Sequence, residues 1–105
     1  MLKVIVKESR WYRGHGSTVS KLRLADGRQC CLGFACRASG LSADEIAHCI
    51  MPNDLPYGKV PAWAEANAVL GLAIANDLRA ITDAERKRRI TKLGRTIGLD
   101  FKFVP

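Results

Sequence analysis

Alternating apolar and polar residues predict strands at both ends of the chain. Residues 2–7 (Leu-Lys-Val-Ile-Val-Lys) and 99–104 (Leu-Asp-Phe-Lys-Phe-Val) both alternate with the period of two that is typical of a half-buried strand. A third alternating stretch, 21–25, leads into the Asp-Gly dipeptide at 26–27, which favours a hairpin turn, and a short return strand follows at 28–31. The pattern therefore predicts a small antiparallel sheet made of the N-terminal strand, the hairpin and the C-terminal strand.

Helix signals fill the region between the predicted hairpin and the last strand. A short helix over 31–38 is expected to end at Gly40, since glycine readily adopts the left-handed conformation that closes a helix. The remaining signals are two capping boxes, a proline suited to a first helical turn and a glycine at a helix end: Ser42 with Glu45, Thr82 with Glu85, Pro61 and Gly98. We expect three or four helices packed on the sheet, in a single α+β domain spanning residues 1–105.

The composition and charge indicate an ordinary globular domain with an unequal distribution of charge. The 105 residues are 48% hydrophobic and 26% charged, and the formal net charge is +7. Residues 1–37 carry eight basic and two acidic residues, 38–85 carry two and seven, and 86–105 carry seven and one. No apolar stretch has the length of a membrane span or of a signal peptide, so we expect a cytoplasmic protein that does not associate with membranes.

Four cysteines raise the questions of disulfides, metal binding and catalysis. Cys30 and Cys31 are adjacent, Cys36 follows in the same apolar run, and Cys49 stands next to a histidine. This spacing lacks the two close pairs of ligands that structural zinc sites use. Free cysteines in apolar surroundings behave as small hydrophobic residues, so we predict buried thiols that are reduced and hold no metal.

No pattern of residues indicates an enzyme. Neither His15 nor His48 belongs to a motif that would activate a cysteine nucleophile. The adjacent acids Asp44 and Glu45 fall in the first turn of a predicted helix, where they favour the helix dipole. The glycines at 14 and 16 lack the setting of a phosphate-binding loop. We therefore expect no catalysis and no cofactor.

The last predicted helix, over 83–96, is strongly basic. A helical wheel places Leu93 and Ile97 within about 60° of Ile90. Three basic residues lie about 140–200° from Ile90 on the opposite side: Arg88, Lys92 and Arg95. They form either the solvated outer face of a packed helix or a ridge that binds phosphate groups or an acidic protein surface.

Residues 10–16, Arg-Trp-Tyr-Arg-Gly-His-Gly, combine aromatic and basic side chains in a predicted loop. Arg10, Trp11 and Arg13 are candidates for stacking on bases or for an interface hot spot, since Trp, Tyr and Arg are enriched at such sites. The alternative is that Trp11 packs into the core and holds the loop in place.

The segment from Leu22 to Gly40, together with Trp11 and Gly14, resembles small uncharacterised proteins of bacteriophages and prophages. Their signature is a Gly-x-x-Cys-Cys-Leu-Gly run after a short strand, which here comprises residues 27–33. Asn76-Asp77 and the C-terminal Phe-Val-Pro are similar as well. The resemblance implies a phage or prophage source and no particular activity.

These observations favour a phage accessory protein that binds a host protein or nucleoprotein complex without catalysis. Inhibition of a bacterial defence system, as by anti-CRISPR proteins, is one such role. The alternative is direct binding of nucleic acid by the basic helix over 83–96 and the loop over 10–16. The site residues of both hypotheses are Arg10, Trp11, Arg13, Arg88, Lys92 and Arg95.

Overall fold

A computed structural model describes residues 1–14 and 21–105 of the chain. Two strands, β1 (Leu2–Lys7) and β2 (Leu99–Val104), flank four α-helices: α1 (Cys31–Ala38), α2 (Ala43–Ile46), α3 (Ala68–Asp77) and α4 (Asp83–Arg95). Short 3-10 helices occupy Glu8–Arg10, Pro52–Asp54 and Ala62–Glu65. The expected α+β composition and both terminal strands are confirmed.

The predicted antiparallel sheet is wrong. Within the described residues the sheet has two strands, and β1 and β2 run parallel in a register that pairs Leu2 with Leu99 and Lys7 with Val104. The helices between the strands form the long crossover connection that two parallel neighbours require. The predicted return strand contributes one isolated parallel bridge, between Gln29 and Trp11.

A turn forms at this point, but it is not the predicted hairpin turn with Asp26 and Gly27 at its centre. The Gly27 amide donates to the Leu24 carbonyl at 2.9 Å, so Ala25 and Asp26 are the central residues. Of the two positive φ angles that the prediction required, only that of Gly27 (+88°) is present, and the strands on either side do not form. Before the turn, however, the Leu22 amide donates to the Cys49 carbonyl, and the Leu22 side chain is buried. This contact directs the segment against the helices and away from the sheet.

Close contact between Leu22 and α1 depends on Gly33. A Cβ atom at position 33 would lie 1.9 Å from the Leu22 carbonyl oxygen, a distance that no side chain tolerates. At the other end of α1, the Gly40 amide donates to the Arg37 carbonyl and the Leu41 amide donates to the Cys36 carbonyl, each within 3.2 Å. These are the two bonds of a Schellman motif, so the predicted helix stop is confirmed.

The two predicted capping boxes have different outcomes. At α2, the Ser42 hydroxyl accepts from the Glu45 amide and the Glu45 carboxylate accepts from the Ser42 amide, so the box is complete. At α4, the Thr82 hydroxyl accepts from the Glu85 amide at 3.1 Å. The Glu85 carboxylate contacts Arg88 and Arg89 instead of turning back to Thr82.

The helix predicted to start at Pro61 begins later in the chain, at Ala68. Pro61 precedes a 3-10 turn, and extended backbone at Ala66 separates this turn from α3. Gly71 does not interrupt α3, where it faces the Leu93 side chain of α4.

One face of the sheet packs against the helices and forms one side of the core. Val4, Val6, Leu99 and Phe101 are buried on this face, where β1 packs against α1 and β2 packs against α4. Helix α3 contacts both α1 and α4. The opposite face of the sheet is open to solvent and carries five exposed side chains, those of Lys3, Ile5, Lys7, Lys102 and Val104.

Candidate functional site

A buried asparagine links segments that lie far apart in the chain. The Asn76 side-chain oxygen accepts from the Trp11 indole at 2.7 Å and from the Cys31 amide at 3.0 Å. Its side-chain nitrogen donates to the Tyr12 carbonyl at 3.0 Å and to Asp77 Oδ1 at 2.8 Å. Four hydrogen bonds use the full capacity of a primary amide, so this cluster joins the segment after β1 to α1 and α3.

The tryptophan of the predicted binding loop lies in the core. Trp11 is 3% exposed, and its ring centroid lies 4.9 Å from that of Phe103. Of the two interpretations of Trp11, the structural one is therefore correct, and the indole cannot stack on a base. Neighbouring His15 and Gly16 lie outside the described residues.

The two arginines of the loop are held by contacts within the protein. The Arg13 guanidinium lies 4.0 Å from the Trp11 ring centroid and pairs with Asp83 at 3.1 Å. The Arg10 Nη2 atom donates to the Asp26 carbonyl at 2.9 Å, although the Arg10 side chain remains exposed. Both guanidinium groups are therefore already engaged within the protein.

The cysteines are free thiols and all four are buried, as predicted. Desolvation by burial raises the pKa of Cys30 to about 11 and that of Cys36 to about 12. Desolvation also raises the pKa of Cys31 and of Cys49. A thiol with a raised pKa stays protonated near neutral pH and is a poor nucleophile and metal ligand.

The outer face of α4 is where the structure brings predicted site residues together. Arg88, Lys92 and Arg95 are all exposed, as the helical wheel indicated. With Lys87 they surround a shallow open groove, whose floor contains the small residues Ala84 and Thr91.

The four basic residues of this groove differ in how far they are already paired. Arg88 makes two hydrogen bonds to Glu85, at 2.6 and 2.8 Å, and Lys87 pairs with Glu8 at 2.6 Å. Lys92 and Arg95 form no ion pair with any residue that the structure describes. Positive charge is therefore most available over the C-terminal half of α4.

Arg86 belongs to the core and not to the basic surface. It is 2% exposed, and its Nη1 atom donates to the carbonyls of Ala75 and Asn76 at 3.0 Å each. The guanidinium thus binds carbonyl groups that the last turn of α3 leaves unpaired. The helical wheel could have predicted the burial of Arg86, because this residue lies about 40° from Ile90, on the apolar side of the helix.

The described residues contain no group of three or more His, Cys, Asp or Glu side chains arranged to hold a metal ion. Over the same residues, none of the helices has the length and hydrophobicity needed to cross a membrane.

Comparison of the chain with protein-family models, curated proteins and solved structures finds no match. The case for a function therefore depends on the geometry of this chain.

Proposed function

We propose that this protein is a phage or prophage accessory protein that binds an anionic surface of a host macromolecule through the outer face of α4, without catalysis. The observation that carries the proposal is the pair Lys92 and Arg95, two exposed cations on one helix face with no acidic partner among residues 1–14 and 21–105. Arg88 extends the same face by one turn. Exposed like charges that the fold itself does not use are available to attract and orient an acidic partner.

We take the partner to be an acidic protein surface or a nucleoprotein complex in the bacterial cytoplasm. Burial of Trp11 removes the stacking platform that a single-stranded nucleic acid would need. Phosphate contacts to about three basic side chains give a salt slope of about −2.7, which corresponds to weak and non-specific binding. Inhibition of a host defence complex is consistent with such a face, because masking a functional surface requires no chemistry.

Direct binding of nucleic acid is the second candidate. The net charge of +7 and the line of cations along α4 favour it. Arg88 and Arg95 are separated by about 10 Å along the helix axis, at 1.5 Å per residue, which is sufficient to contact successive phosphates. Since the face carries no aromatic side chain, it would bind the backbone without reading sequence.

The experiment compares two double variants that lose the same charge at different places. Lys92→Ala with Arg95→Ala removes two cations from α4, and Lys3→Ala with Lys7→Ala removes two from the open face of the sheet. Each is used as bait in a bacterial lysate with and without nuclease, and each is titrated with duplex and single-stranded DNA by fluorescence anisotropy at several salt concentrations.

We expect the α4 variant to lose a nuclease-resistant partner that the parent and the sheet variant both retain. Loss of DNA affinity in the α4 variant alone, with a flatter salt dependence, would support the second candidate. Equal losses in both variants would mean that only net charge matters. Full binding by the α4 variant would show that this face is merely solvated.

A further inference from the structure

A groove beside the turn at Gly27 has only basic residues and a histidine among its polar lining residues. The lining residues are Lys21, Arg23, Leu24, Ala25, Ala47 and His48. Lys21 and His48 are exposed, and Arg23 is half-buried. No acidic residue that the structure describes lines this groove, which we call the turn groove. An anion that enters it therefore meets positive charge without a competing carboxylate.

A backbone hydrogen bond joins the two walls of the turn groove. The Leu22 amide donates to the Cys49 carbonyl at 3.0 Å, which ties the wall that carries the basic residues to the wall that carries His48. The Leu22 side chain is buried in the core, so the basic residues on either side of it are held at the surface. The fold thus brings these side chains together without the help of a counter-charge.

The guanidinium groups of Arg10 and Arg23 converge at Gly27. The Nη2 atoms of both lie within 3.4 Å of the position that a Cβ atom on Gly27 would occupy. Arg10 Nη2 donates to the Asp26 carbonyl, but this group is neutral and leaves the charge of Arg10 uncompensated. Like charges at such short range repel each other, so an anion that accepts hydrogen bonds from both arginines stabilises the pair.

The acidic residues of this part of the chain are paired with other basic residues. Residues 1–37 contain two acids, Glu8 and Asp26, and residues 15–20, which precede the turn groove, contain none. Glu8 pairs with Lys87 at 2.6 Å, and Asp26 pairs with Arg28 at 2.7 Å. Three basic residues at the turn groove form no ion pair with any other described residue, namely Arg10, Lys21 and Arg23.

We infer that the turn groove and the adjacent Arg10 bind the phosphate group of a small ligand, either inorganic phosphate or the terminal phosphate of a nucleotide. Guanidinium groups present several directed N–H donors, which match the oxygen atoms of a phosphate. The cationic groups come from separate segments of the chain and converge on one place, which suits a compact anion. A nucleic-acid backbone is better matched by a line of cations such as that along α4. The turn groove shares no residue with the outer face of α4, so the inference does not depend on the proposed function.

Heteronuclear NMR locates the binding site and measures its affinity. The isotope-labelled protein is titrated at constant ionic strength with inorganic phosphate, pyrophosphate and ATP, and with adenosine as a ligand that lacks phosphate. We expect saturable shifts of the backbone signals of residues 21–28 and 47–49 with the three phosphate ligands and none with adenosine. Equal affinity for pyrophosphate and ATP would identify phosphate alone as the ligand, and tighter binding of ATP would identify a nucleotide.

Two double variants test the groove from opposite sides. Arg10→Gln with Arg23→Gln should raise the dissociation constant for pyrophosphate at least ~10-fold, because charge-assisted hydrogen bonds are lost. Lys21→Gln with His48→Gln should also weaken binding, and it leaves the arginines at Gly27 in place. The matched control is Arg37→Gln with Arg79→Gln, which removes two exposed arginines that form no ion pair with a described residue. Thermal melting without ligand checks that each variant folds.

Loss of affinity in both groove variants, with the affinity of the control unchanged, supports the inference. Equal losses in the control would mean that only net charge matters, and a parent without saturable shifts would mean that no site exists. Shifts confined to α4 would overturn the inference while supporting the proposed function. Binding of an oligonucleotide without terminal phosphates, with no response to phosphate, pyrophosphate or ATP, would also overturn it.

Discussion

The indole Nε1 of Trp11 donates a buried hydrogen bond of 2.7 Å to Oδ1 of Asn76, a residue 65 positions later in the chain. The bond joins the segment after β1 to the last turn of α3. The same Asn76 oxygen accepts from the Cys31 amide at the start of α1, and the Gly14 amide donates to Asp77 next to it. Trp11, Gly14, Cys31 and Asn76 thus have a structural role in one buried cluster.

Removal of the Asn76 side chain should destabilise the fold strongly. Asn76→Ala leaves the Trp11 indole and the Cys31 amide buried without an acceptor, and each such loss costs about 1–3 kcal/mol. We expect a loss of about 3 kcal/mol in the free energy of unfolding, measured by urea denaturation. Asn53→Ala, at an exposed position, is the control and should change stability by less than about 0.5 kcal/mol. Equal effects of the two variants would contradict the importance of this cluster.

Gly33 and Gly71 both lie within helices but should respond differently to alanine. Gly33→Ala places a methyl group against the Leu22 carbonyl and should cost about 3 kcal/mol or more, because backbone must move. Gly71→Ala meets the flexible end of Leu93 at 3.3 Å and gains helix propensity of about 1 kcal/mol, so we expect near-neutral stability. Thermal melting of both variants provides the measurement. A Gly33→Ala protein that melts with the parent would contradict the close packing of Leu22 on α1.

The four thiols should react slowly in the native protein and rapidly in the unfolded one. Burial raises the pKa of each cysteine, so the thiolate fraction at pH 8 falls below that of a free thiol. A chromogenic disulfide reagent should therefore titrate four thiols only after a denaturant is added. Intact mass and elemental analysis should show reduced, metal-free protein, and a chelator should leave the melting temperature unchanged. Stoichiometric zinc, or a mass two hydrogens too low, would disprove this prediction.

The ion pairs of Glu85 should stabilise α4 at neutral pH and be lost in acid. The same carboxylate should lower the net positive charge of the outer face of α4. Hydrogen bonds from Arg88 and Arg89 lower the pKa of the Glu85 carboxyl from 4.5 to about 2. The ion pairs therefore support the folded state fully above about pH 4.5, and this support is lost as the pH falls towards 2. Melting temperatures of Glu85→Gln should depend less on pH across this interval than those of the parent.

The same substitution releases Arg88 from its carboxylate partner. If the outer face of α4 binds an anionic surface, Glu85→Gln should bind the captured partner or DNA more tightly than the parent at neutral pH, by a margin that shrinks with added salt. Unchanged affinity in this variant would show that Arg88 does not take part in binding.

Local features were predictable from the sequence because they depend on residues a few positions apart. The capping box of Ser42 and Glu45, the turn at Gly27 and the helix stop at Gly40 each need one short-range hydrogen-bond pattern or one positive φ angle. The two terminal strands and the exposed basic face of α4 followed from periodicity for the same reason. Burial of the cysteines followed from their apolar neighbours.

Which strands pair, and which side chains pack or hydrogen-bond together, is decided by the tertiary structure alone. Alternation at residues 2–7 and 99–104 identifies two strands, but a period of two is the same in parallel and antiparallel sheets, so it does not set their direction. Whether Trp11 was a ligand for bases or a core residue depended on Asn76, 65 positions away. Arg86 is buried because the carbonyl groups at the end of α3 lie within reach of its guanidinium, and these long-range contacts form only when the chain has folded.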